Sequence, residues 1–164
     1  IIDGSEVTFT VKERLAKLPL PNDAVVRTNG LTGELHIDEP SVIRLDLHSL
    51  RSDQQYRDRY IRTKMFPNSP TATFIVEKIG EVPDMFYKGE KVIRQVNGTL
   101  DIRGTTVPLT FELEVRNDGN ILNIVGRTTF SWEQLQIPLP SARSVLWVDD
   151  NVKVEILILG QPKP

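Results

Sequence analysis

The chain contains no cysteine among its 164 residues. That removes disulfides, thiolate metal sites and thiol nucleophiles together, and leaves sulfur redox chemistry without a participant. Histidine is nearly as scarce, with His36 and His48 the only two. Strand alternation sends both outward, about 13 Å apart at the usual rise per residue, so they read as surface residues and not as a metal pair. No glycine-rich phosphate loop, serine-centred elbow or catalytic pairing of carboxylates is present, and the adjacent Asp149 and Asp150 suit a turn. With no catalytic residue and no metal ligand to nominate, the expectation is a protein that is not an enzyme. An excess of positive charge is missing too: 20 Lys and Arg stand against 22 Asp and Glu, a formal net charge of −2. A reader of nucleic acid normally carries a basic face, so none is expected as partner. The longest apolar run is about five residues, from Ile156 to Gly160, far short of the ~20 that a membrane-spanning helix needs.

What is present is a period of two. Apolar residues alternate with polar ones at Val7, Phe9 and Val11, at Leu31, Gly33, Leu35 and Ile37, at Ile43, Leu45 and Leu47, and at Ala72, Phe74 and Val76. The pattern continues at Val96, Gly98, Leu100 and Ile102, at odd positions from Val107 to Val115, and at even positions from Leu122 to Phe130 and from Val152 to Ile158. Such alternation marks strands with one wet face. Glu39-Pro40-Ser41, Arg103-Gly104-Thr105, Asn117-Asp118-Gly119 and Asp149-Asp150-Asn151 are turn sequences that join antiparallel neighbours. Two segments break the pattern. Lys12 to Leu18 is expected as a turn or two of helix, stopped by Pro19-Leu20-Pro21. Over about residues 53–64, Tyr56, Tyr60 and Ile61 recur at helical spacing among Arg and Asp, with Ser52 or Asp53 as the cap. No repeat, low-complexity tract or charge block divides the chain, so residues 1–164 are expected to form a single domain.

One-sided strands in this number must pack as two sheets or close on themselves. The consecutive hairpin runs 92–103, 107–116 and 121–130 have the length of a closing meander. The expected fold is all-β, an extended eight-stranded antiparallel barrel with one short helix between strands. In that register Phe9, Leu35, Leu47, Phe74, Val76, Leu100, Ile102, Phe111, Leu113 and Phe130 share the inward face. So do Gly33, Gly98 and Gly126, which either mark bends or leave room in the lumen. Trp132 and Tyr87, each with an apolar body and a polar tip, are candidates for its rim, and Met85 and Phe86 for a loop over one end. A lumen so lined would take an apolar ligand. Arg57 and Asp58 read either as a structural ion pair with their neighbours or, with Arg59 and Arg62, as holders of a pyrophosphate head.

Several stretches, in order, carry a family likeness. Ser5-x-Val7-x-Phe9-x-Val11 opens it, followed by Gly33 to Asp38 with Pro40, Leu45 to Leu50, and Arg57-Asp58-x-x-Ile61-Arg62 with Phe66-Pro67 and Thr73-Phe74. The most distinctive block is Val96-Asn97-Gly98-Thr99-Leu100-x-Ile102-Arg103-Gly104-x-Thr106-x-Pro108-Leu109. Together these resemble the YceI-like family of polyisoprenoid-binding proteins. The resemblance implies a lipocalin-like barrel whose lumen stores or transports a long isoprenoid, such as a quinone or a polyprenyl phosphate, held as ligand and not as cofactor. The binding residues would be Phe9, Leu35, Leu47, Phe74, Val76, Leu100, Ile102, Phe111, Leu113, Phe130 and Trp132. It also implies a periplasmic or secreted location, and Ile1 in place of an initiating methionine fits a removed signal peptide. Transient contact with a membrane or a membrane electron-transport protein, and a homodimer, complete the expected partners. The chain departs from the family pattern at Leu18-Pro19-Leu20-Pro21-Asn22-Asp23, and at Phe130-Ser131-Trp132-Glu133-Gln134-Leu135, where an aspartate, phenylalanine and glycine are usual. The rival from another class is a structural or protein-interaction barrel with a packed interior and no lipid.

Overall fold

A computed structural model describes all residues, 1–164. The alternating segments fold as ten strands: β1 (Glu6–Leu15), β2 (Asn22–Thr28), β3 (Leu31–Glu34), β4 (Ser41–Asp46), β5 (Thr71–Val76), β6 (Val92–Ile102), β7 (Thr105–Asp118), β8 (Ile121–Ser131), β9 (Val145–Val148) and β10 (Asn151–Gly160). They form one antiparallel sheet in the order β2-β1-β10-β8-β7-β6-β5-β4-β3, with β9 paired to the far end of β1. The two ends of that path, β2 and β3, are consecutive in sequence, joined by Asn29 and Gly30. Arg27 of β2 also exchanges backbone hydrogen bonds of 2.9 and 2.8 Å with Arg51, just past β4. The sheet therefore curls round on itself into a lipocalin-like barrel, with this seam held by a single bridge instead of a full ladder.

Ten strands replace the eight expected because β2 and β9 carry little alternation: Val25 and Val26 are adjacent apolar residues, and β9 is the unbroken run Val145-Leu146-Trp147-Val148. The segment 12–18 is not a helix. β1 continues to Leu15, pairing Glu13 with Asn22 on one side and with Val148 on the other, so two ladders hold it extended. The expected helix over 53–64 is present as α1 (Gln55–Tyr60), running on into a wider turn over Ile61–Met65. Neither Ser52 nor Asp53 caps it: Asp58 reaches back, accepting from the Ser52 backbone N–H at 2.9 Å and hydroxyl at 2.7 Å. A single-turn helix, α2 (Asp84–Tyr87), lies in the 83–89 loop.

Local chemistry sets the register. The β6–β7 hairpin turns on Arg103 and Gly104, both left-handed at φ of +51° and +74°, as a two-residue connection requires. Burial then alternates along β10, where Val152, Val154, Ile156 and Ile158 are inside and their neighbours outside. His48 is not a free surface residue: its Nε2 donates to the Phe66 carbonyl at 2.7 Å, pinning the turn after β4 to the end of the helical segment.

Candidate functional site

Alternation decides which side chains point inward, and at one end of the barrel they do not meet. They enclose a cavity of about 810 Å³, within the ~300–1,000 Å³ range of small-molecule sites, and 33 of its 42 lining residues are hydrophobic. The other end is filled. Along each strand the lining stops at a common level: Val152, Val154 and Ile156 of β10 border the space and Ile158 does not; Thr128 and Phe130 of β8 do and Ile124 does not. The same holds for Leu109 and Phe111 against Leu113 in β7, and for Leu100 and Ile102 against Val96 in β6.

The inward glycines lie at that boundary and leave no room. A Cβ on Gly98 would meet the Phe74 ring and, at 2.6 Å, the Ile75 carbonyl oxygen; one on Gly126 would lie 2.7 Å from Ile156 and 2.8 Å from Leu113. One on Gly33, at φ +149°, would strike the Val42 carbonyl. They are sites of close approach that let neighbouring side chains plug the barrel, not sources of lumen volume. Phe74 and Phe111, edge to face at 5.1 Å between ring centres, form the floor.

Of the residues expected in the lumen, Phe9, Leu47, Phe74, Leu100, Ile102, Phe111, Phe130 and Trp132 line the cavity. Leu35, Val76 and Leu113 do not: Leu35 lies past the end of β3, Val76 is buried at the end of β5, and Leu113 packs beneath Gly126. Parity gives the face of a strand but not the height along it, and these three sit in the plugged half. Trp132 lies edge to face with Phe130 at 6.2 Å and donates its Nε1–H to the Asp149 carbonyl at 2.9 Å. Tyr87 is not at the rim. It is exposed on α2, which packs beside β7, and no residue of the 83–89 loop borders the cavity.

The open end is polar in a way the alternation foretold only in part. The inward parity of Val7, Phe9 and Val11 continues to Glu13 and Leu15, which places a carboxylate in an apolar interior. It survives there because Arg57 of α1 donates to it, while also donating to Asp53 at 2.8 Å and to the Ser52 hydroxyl at 3.1 Å. Asn22 adds a hydrogen bond to Glu13 at 3.3 Å. A buried charge is tolerable when paired and hydrogen-bonded in this way. Arg57 alone of the helix arginines borders the cavity; Arg59 and Arg62 do not, so the three-arginine holder for a pyrophosphate is not assembled. Lys17, Leu18, Tyr56 and the loop 140–145 complete the mouth.

This architecture is shared. A polyisoprenoid-binding domain of Saccharophagus degradans, implicated in plant cell wall breakdown, superposes with a TM-score of 0.78 at 18% identity, over 98% of this chain and 95% of that one. BcnA of Burkholderia cenocepacia gives 0.70 at 16% identity over 96% of each chain, and the Campylobacter jejuni YceI protein 0.67 at 14% over 92% and 91%. In sequence, the chain is 26% identical over 147 residues to the UPF0312 protein VPA0850 of Vibrio parahaemolyticus, a match covering 79% of this chain and 71% of that protein. The pattern of the YceI-like domain matches residues 2–159, and on that match the chain belongs to the YceI-like family.

Proposed function

We propose that this protein binds a long apolar isoprenoid, a quinone or a polyprenyl phosphate, in the open half of its barrel, and stores or carries it without catalysis. The observation that carries the reading is the cavity itself: about 810 Å³ bounded by mostly hydrophobic side chains. Phe9, Val11, Ile43, Leu45 and Leu100 point inward yet retain partial exposure, because the surface they show faces this space. Each buried methylene contributes ~0.8 kcal/mol, so about ten of them supply roughly 8 kcal/mol, comparable with the ~4–15 kcal/mol that association costs. Length discrimination should be weak, since one methylene changes binding by only ~1–3 kcal/mol. The family's likeness to a polyisoprenoid-binding domain supports the choice of tail. The rival barrel with a packed interior fits only the half beyond Phe74 and Phe111.

We place the protein outside the cytoplasm, exchanging its ligand with a membrane. Leu18, Leu20, Tyr56 and Leu139 are exposed on segments around the opening, where an apolar rim would ease the passage of a tail between bilayer and cavity. The test is displacement of a fluorescent apolar probe by isoprenoids of graded length, in wild type and in Val11→Trp, whose indole would occupy the space. Micromolar displacement lost in the variant supports the reading; no probe uptake by folded wild type refutes it.

A further inference from the structure

The cavity mouth is charged against the trend of the chain. The molecule carries a formal net charge of −2, yet the charged residues bordering the cavity are three cations, Lys17, Arg57 and Arg143, and one anion, Glu13. Arg57 is committed to Glu13 and Asp53. Lys17 and Arg143 are not: both are exposed and neither enters an ion pair. They flank a backbone hydrogen bond of 2.9 Å from Ala16 to Ser144, one residue to either side, which holds the two segments together at one level of the rim. Lys17 and Arg143 therefore sit on adjacent backbone segments, where two like charges disfavour each other and an anion near both offsets the repulsion. Ser141 and Ser144, also bordering the cavity, add hydroxyl donors from the same loop.

We propose that Lys17 and Arg143, with Ser141 and Ser144, form a head-group site for an acidic amphiphile, a phosphate or carboxylate carried on the apolar tail. The inference rests on the apolar-cavity reading and narrows it, selecting acidic-headed isoprenoids over neutral ones. An ammonium and a guanidinium make charge-assisted hydrogen bonds to such a head, which a quinone or an alcohol cannot match. Glu13 does not oppose this, since Arg57 already neutralises it.

The test uses a matched pair of twenty-carbon isoprenyl compounds, one phosphate and one alcohol, titrated into the whole protein and into the double variant Lys17→Gln/Arg143→Gln. Wild type should bind the phosphate about tenfold more tightly at low ionic strength, and the preference should shrink as salt is added. The double variant should lose that preference and bind the phosphate and the alcohol equally. Equal affinities in wild type, or a preference that persists in the double variant, would overturn the head-group site while leaving the apolar cavity standing. Failure of folded wild type to bind either compound would instead remove the cavity reading and this inference with it. Inorganic phosphate alone should show no calorimetric binding at millimolar concentration; binding as tight as that of the tailed phosphate would make the site one for a free anion.

Discussion

Arg57 of α1 donates to Glu13 of β1 across 44 residues of sequence, with only 16% of the arginine side chain and 5% of the glutamate exposed. The pair ties α1, whose Tyr56, Arg57 and Tyr60 border the cavity, to β1, which borders it from Val7 to Leu15. Arg57→Ala would leave a buried carboxylate without its cation. The expected cost is about 3 kcal/mol, the lower part of the range for breaking a buried pair. Replacing both members by apolar residues, Glu13→Leu with Arg57→Met, should recover most of it, as read by urea denaturation. A single variant within 1 kcal/mol of wild type would mean that water reaches the pair.

Gly98 is expected to tolerate no side chain. Gly98→Ala pushes a methyl group against the Phe74 ring and the Ile75 carbonyl, neither of which can retreat without moving the floor of the cavity. A loss of about 3 kcal/mol is expected, at the upper end for overpacking. Gly104→Ala in the β6–β7 turn, where no atom lies near the added carbon, is the contrast: only its left-handed backbone opposes the change, and the loss should be nearer 1 kcal/mol. Thermal melts of the two variants make the comparison.

How legible all this was depends on what alternation encodes. Period two placed Phe9, Phe74, Phe111 and Phe130 on one interior surface, because each pleat assigns a face residue by residue. It could not tell that Leu113 lies below the floor and Phe111 above it, since both share parity and only the packing around Gly126 separates them. The segment from Lys12 to Leu18 misled because its charges hid the strand parity of Glu13 and Leu15. That carboxylate became intelligible only with Arg57 beside it, a partner that no local pattern announces.

The outer face of the sheet gives a pH prediction. A hydrogen bond from Lys91, aided by Arg127, holds the Glu114 carboxyl below the usual carboxylate range, and Lys163 does the same for Glu34. Both groups therefore add stability that is present above the ordinary carboxylate pKa of about 4.3 and lost as pH falls through the lowered value. Exposed pairs of this kind contribute little, so Glu114→Gln should lower Tm slightly at pH 7 and progressively less as the pH falls below the ordinary carboxylate range, and added salt should narrow the difference at pH 7.

Trp132 offers an optical report from inside the cavity, whereas Trp147 is 44% exposed on β9. Adding an isoprenoid should shift the tryptophan emission to the blue, and Trp132→Phe should abolish the shift while Trp147→Phe keeps it. The opposite dependence would place the ligand on the outside of the sheet.

Native mass spectrometry of the protein purified from a bacterial host, followed by solvent extraction, tests the central claim most directly. Wild type should carry and release an isoprenoid lipid. Val11→Trp and Leu45→Trp, folded by the same melting criterion, should carry none. A wild-type protein that is consistently empty, or variants that retain as much lipid as wild type, would contradict the account.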